Sequence, residues 1–79
     1  MKLLICSLKE VLFSGQARLL NCKTAAGEIT VLNNHQPLIG IVTKGAMKVV
    51  DDAQKEHFFN VTSGFLEVKR GNEVRCIVE

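Results

Sequence analysis

The sequence predicts an all-β domain, a sandwich or small barrel of about eight short strands. Apolar and polar residues alternate in runs of about five to eight, the period of half-buried strands. Between the runs stand residues that tolerate turn geometry, such as Asn33-Asn34 and Asp51-Asp52. No stretch of about a dozen residues keeps a helical period.

The first run, "KLLICSL", puts Leu4, Cys6 and Leu8 on one face. "FSGQ" follows, with Ser14-Gly15 read as a turn, and then "ARLLNCKT". That run sets Arg18, Leu20 and Cys22 on one side, and Leu19, Asn21 and Lys23 on the other. "EITVL" turns Ile29 and Val31 inward, with Glu28 and Thr30 outward. "LIGIV", "AMKVV", "HFFNV", "FLEVK" and "EVRCIV" complete the series, with further breaks at Ala26-Gly27, Lys44-Gly45 and Arg70-Gly71-Asn72. "DDAQKEHFF" comes nearest to a helix, but reads better as a hairpin loop entering the strand of Phe58 and Phe59. Phe13, Phe58, Phe59 and Phe65 read as core aromatics. A stacking platform for bases would need Arg or Lys interleaved on the same face, and the sequence has no such pattern.

The 79 residues make one domain, 1–79, near the lower size limit for folding without disulfides or metal. Apolar residues are 47% of the chain, enough for a core, but so small a domain keeps little net stability. Such a chain is expected to complete its stabilisation against a partner, or to self-associate when isolated. The net charge is +2, with ten Lys and Arg interleaved among eight acids, whereas a nucleic-acid binder usually clusters its basic residues on one face. Cys6, Cys22 and Cys76 are odd in number and widely spaced, which argues against a disulfide framework and a zinc site and suits a reducing compartment. The opening "MKLLICSLKEVLF" is too short and too polar for a signal peptide, interrupted as it is by Ser7, Lys9 and Glu10. No run approaches the roughly 20 apolar residues of a membrane span. A soluble domain without direct membrane insertion is expected.

Catalysis needs convergent groups, and none are legible. His35 and His57 are the only imidazoles, without metal-ligand spacing. Ser14-Gly15 and Ser63-Gly64 lack the strand–turn–helix context of a nucleophile elbow. No glycine-rich loop precedes a helix, so neither a phosphate cradle nor a cofactor is expected. His35 instead stands two residues before Pro37, the only proline. Proline fixes its own φ and biases Gln36 toward extended backbone, so the chain should turn sharply into "LIGIV". There the imidazole would hydrogen-bond neighbouring backbone and shape the corner.

The segment "GEITVLNNHQPLIGIVTKGAMKVV" resembles the signature of the epsilon subunit of F-type ATP synthases. Its Gly, His-x-Pro-Leu corner and later Gly correspond to Gly27, His35, Pro37, Leu38 and Gly45. "LFSGQARLLNCKT" is similar to the family's F-S-G turn and following strand. "FFNVTSGFLEVKRGNEVRCIV" is similar to its closing hairpin, through Gly64, Phe65, Leu66, Glu67, Val68, Asn72 and Val74. These three segments, in register, cover nearly the whole chain. Thr30 and Asn33 stand where members commonly carry Gly and Pro, and Lys44 replaces the Pro before Gly45. Ser63-Gly64 replaces a Gly-Gly pair.

The resemblance implies a flattened β-sandwich of about eight to ten short strands. It implies a non-catalytic rotor subunit that links the gamma subunit to the c ring and couples ion transport to ATP synthesis. Ser7, His35, Gln36, Pro37, Leu38 and Gly40 would face gamma, and Gly27 and Glu28 the polar loops of the c ring. With a bacterial source assumed, the resemblance places the chain peripherally on the cytoplasmic face of the inner membrane. The helical hairpin that follows in most members, with the nucleotide sensing and inhibition it brings to some, is not expected of residues that stop where the sandwich should finish. The competing reading is a free-standing small β-barrel that binds a ligand or nucleic acid.

Overall fold

The computed structural model describes residues 1–79 and contains eight strands. They are β1 (Lys2–Cys6), β2 (Val11–Thr24), β3 (Gly27–Leu32), β4 (Leu38–Val42), β5 (Gly45–Asp51), β6 (Glu56–Val61), β7 (Gly64–Lys69) and β8 (Glu73–Val78). The hydrogen-bonded order is β1-β8-β7-β4-β2-β5-β6, with β3 also on β2 and β1 also paired to β2. All pairings are antiparallel except β1 with β8.

The long strand β2 makes this a two-layered sandwich. Fourteen extended residues would measure about 46 Å, yet the longest dimension of the domain is 26 Å. The strand therefore bends. Its first part, Val11 to Gln16, pairs with β1. Its second part, from Ala17 onward, pairs with β3 and β5. The bend falls at Gly15, whose φ of 152° is open to glycine, and at the register shift between Ala17 and Leu19. Ser14-Gly15 is thus no turn between strands, but the place where one strand passes from one layer to the other. A glycine inside a strand pattern marks a bend as readily as a break.

One core of 16 buried residues fills the space between the layers. Leu3 and Ile5 of β1 enter it, together with Leu20, Cys22, Val31, Val42, Met47, Val49, Leu66, Val68, Val74, Cys76 and Val78. Val31 is buried and Ile29 packs against the core, as the alternation in "EITVL" requires. Leu4 and Cys6 lie on the outer face of β1, and Leu8, in the link beyond its end, is 89% exposed. Of the four phenylalanines, Phe13 and Phe59 pack against the core, whereas Phe58 and Phe65 are 63% and 61% exposed. Neighbouring positions explain this. Leu66 and Val68 take the inward positions of β7, so Phe65 must point outward.

The turns follow the sequence elsewhere. The loop after β5 is tied by Asp51, whose Oδ1 accepts the Ala53 and Lys55 amides, each at 2.9 Å. Its Oδ2 accepts from His57 Nε2 at 2.9 Å, and the His57 ring meets Phe13 edge-on at 5.2 Å. That carboxyl is held below its usual range, first by the His57 hydrogen bond and then by the Lys55 amide.

Candidate interaction surface

No three His, Cys, Asp or Glu side chains converge to hold a metal ion, and no helix is long and apolar enough to cross a membrane. The arrangement offers surfaces for contact.

The first surface feature is the corner between β3 and β4. Asn34 adopts φ 62°, and the His35 amide donates to the Leu32 carbonyl at 3.2 Å, closing a tight turn. The His35 Nδ1–H donates to the Gln36 carbonyl at 2.8 Å, so the imidazole does brace its own corner. Distant residues fasten the loop. Asn72 Oδ1 accepts the Asn34 amide at 2.7 Å, and Asn72 Nδ2 donates to Asn33 Oδ1 at 3.4 Å. The Met1 ammonium donates to Asn33 Oδ1 and to the Ala17 carbonyl. Gln36 and Pro37 remain exposed and Leu38 is half-buried, packed against the core.

Ser7 lies at the other end of β4. Its Oγ accepts the Lys9 and Glu10 amides at 3.2 Å each, which folds the link between β1 and β2 and leaves Leu8 projecting. The structure therefore separates the six residues assigned to gamma: the His35–Leu38 corner starts β4, and Ser7 sits beyond its far end. Gly40 shares the inward parity of Leu38 and Val42, so it offers backbone rather than a side-chain face.

Between these ends runs the feature that the sequence reading missed. Register places Ile41 opposite Phe65, and Phe65 opposite Ile77, across β4, β7 and β8. One step along, Ile39 faces Glu67, which faces Arg75. Ile39 is 79% exposed, Ile41 and Ile77 are exposed as well, and Leu8 extends the row. Leu8, Ile41, Phe65, Ile77 and Val78 line a shallow groove of about 340 Å³. Beside it Arg75 Nη2 meets Glu67 Oε1 at 3.0 Å, a polar margin worth little to stability at this exposure. The signal was in the alternation. In "EVRCIV" the buried set is Val74, Cys76 and Val78, which leaves Ile77 outside. A contiguous exposed apolar patch with a polar rim marks an interaction site.

Gly27 and Glu28 form a separate surface at the start of β3, just after the Ala25-Ala26 turn from β2. Thr24 Oγ1 donates to the Gly27 carbonyl at 2.7 Å and accepts the Ala26 amide at 3.2 Å. Glu28 Oε2 accepts from Asn21 Nδ2 at 3.0 Å, so the exposed carboxylate is oriented.

The fold is that of known rotary-enzyme chains. A chain of the Euglena gracilis mitochondrial ATP synthase, from a cryo-EM structure of its OSCP/F1/c-ring in rotational state 1, superposes with a TM-score of 0.91 at 19% identity, over 99% of this chain and 49% of that one. A chain from the central stalk and c-ring of the Tetrahymena thermophila mitochondrial ATP synthase superposes with a TM-score of 0.81 at 17% identity, over 99% and 62%. In sequence, the ATP synthase epsilon chain of Brevibacillus brevis is 32% identical over 71 residues, 90% of this chain and 53% of that protein. The chain thus spans about half the length of that curated relative. The family described as "ATP synthase, Delta/Epsilon chain, beta-sandwich domain" matches residues 1–79, and the chain belongs to it.

Proposed function

We propose that this chain is a non-catalytic central-stalk subunit of an F-type ATP synthase, linking gamma to the c ring in the membrane-associated complex. Family membership supports the role. The observation that carries it is the exposed apolar row of Ile39, Ile41, Phe65 and Ile77, bounded by Ser7 and Leu8 at one end and the His35 corner at the other. A domain this small gains by burying such a row against a partner. Gamma covers it, with His35, Gln36 and Pro37 fixing register at the rim. The Gly27–Glu28 end of β3 meets the polar loops of the c ring, where an exposed carboxylate tunes association rate more than affinity.

Calorimetric titration into the gamma subunit from the same source tests this reading. A one-to-one complex should form. Ile41→Asp or Phe65→Asp should weaken it by about thirtyfold, the loss of a central contact. No binding by the folded chain, or binding that ignores both substitutions, would overturn the proposal. A steep salt dependence of binding to single-stranded DNA would favour the nucleic-acid reading instead.

A further inference from the structure

The layer formed by β3, the second part of β2, β5 and β6 ends in an unguarded strand. β6 pairs with β5 alone, without a bulge in its register. Its free groups can be named. The Asp51 amide donates to the Lys55 carbonyl at 3.0 Å, closing the hairpin. In the continuing register Val50 faces Glu56, Val49 faces His57, Lys48 faces Phe58 and Met47 faces Phe59. Bonded pairs alternate along an antiparallel ladder, so His57, Phe59 and Val61 bond to β5. The amides and carbonyls of Glu56, Phe58 and Asn60 point away from the sheet.

Edges like this are normally blunted by lysine, proline or a bulge. "EHFFNV" has none of these. Its one charged residue is Glu56, at the start of the strand, which meets Lys48 Nζ at 2.9 Å. Phe58, in mid-strand, is 63% exposed.

We infer that β6 is a self-pairing edge, to which a second copy of this chain adds its own β6 antiparallel about a two-fold axis through Phe58. Only this register pairs all three free residues with one another. Phe58 lies opposite Phe58 of the second copy, Glu56 opposite Asn60, and Asn60 opposite Glu56. The two phenylalanines meet on the outer face at the axis, where aromatic cross-strand pairs stabilise. On the other face His57 stands opposite Phe59. Glu56 faces a neutral amide, and no like charges face each other. The contact uses the edge rather than the apolar row, and it stands independently of the stalk reading.

Sedimentation velocity of the whole chain from micromolar to millimolar concentration tests the pairing, as befits a small and weak interface. A reversible dimer is expected. Phe58→Lys puts like charges opposite each other at an exposed position and should raise the dissociation constant about tenfold. Phe65→Lys, on the apolar row, should leave it unchanged. Amide exchange at Glu56, Phe58 and Asn60 should slow as concentration rises. A chain that is monomeric throughout would overturn the inference. So would a dimer that ignores Phe58→Lys, or one that dissociates with Phe65→Lys while each variant melts as a folded domain.

Discussion

Gly64 lies so close to β8 that a Cβ added to it would stand 2.3 Å from the carbonyl oxygen of Ile77 and 3.0 Å from the Cα of Val78. The obstruction is backbone, which cannot swing aside as a side-chain tip would. Gly64 also pairs with Val42 of β4 and Val78 of β8, so it sits where three strands of one layer meet. Gly64→Ala should therefore force β7 and β8 apart. A cost of about 2 kcal/mol is expected for overpacking a tight site, or about 10 °C in melting temperature for a domain of this size. Thermal unfolding checks it, and an unchanged midpoint would mean that the strands part without penalty.

The His35 corner depends on Asn72, thirty-seven positions further along the chain. Asn72 sits at φ 60° and offers Oδ1 to the Asn34 amide. Asn72→Ala loses that acceptor and puts alanine, which lacks asparagine's tolerance of left-handed backbone, at that φ, costing about 2 kcal/mol in all. Asn72→Gly loses the same side-chain hydrogen bonds but is at ease in left-handed backbone, and should cost about half as much. Melting curves of the two variants separate the effects. In both, hydrogen exchange of the Asn34 amide should quicken while core amides keep their order of protection.

Much of this was legible in the sequence, for a physical reason. Alternation reports which residues share a face, and the eight strands follow from it with turns at Asn33-Asn34, Asp51-Asp52 and Gly71-Asn72. Alternation does not report which face is buried when both are apolar. In "KLLICSL" the sets Leu3, Ile5 and Leu4, Cys6 are equally apolar, and only packing against β2 and β8 puts the first inside. Phe58 and Phe65 mislead similarly, because bulk suggests a core position while parity dictates the surface. The His35 corner was readable because proline acts locally. The apolar row was not, since Ile41, Phe65 and Ile77 lie far apart in sequence and are joined only by register.

The three thiols should divide by environment. Burial pushes the Cys22 thiol up to about 11 and Cys76 to about 12, the latter helped by the neighbouring cysteines. The thiolate is the reactive form, so neither should react at neutral pH in the native state. Cys6, half-buried at the end of β1, is accessible. A chromogenic disulfide reagent should titrate Cys6 alone in buffer and all three cysteines in denaturant. Rapid native reaction of Cys22 or Cys76 would show that the core opens more readily than its packing indicates.

Asp51 should give the domain an acid limb. The His57 hydrogen bond, followed by the Lys55 and Ala53 amides, lowers its folded-state pKa. A group with a lowered folded pKa stabilises the fold above its unfolded value, about 4 for a carboxyl, and loses that contribution as pH falls through the folded value. Asp51→Asn keeps an acceptor for the loop amides but removes the charge opposite His57. At neutral pH the variant should melt below the native protein. The gap should narrow as pH drops below about 4 and close once Asp51 is protonated in both states. Melting temperatures of both proteins across that range decide the matter. A gap that persists unchanged into strong acid would mean that Asp51 acts through loop geometry, with its charge contributing nothing.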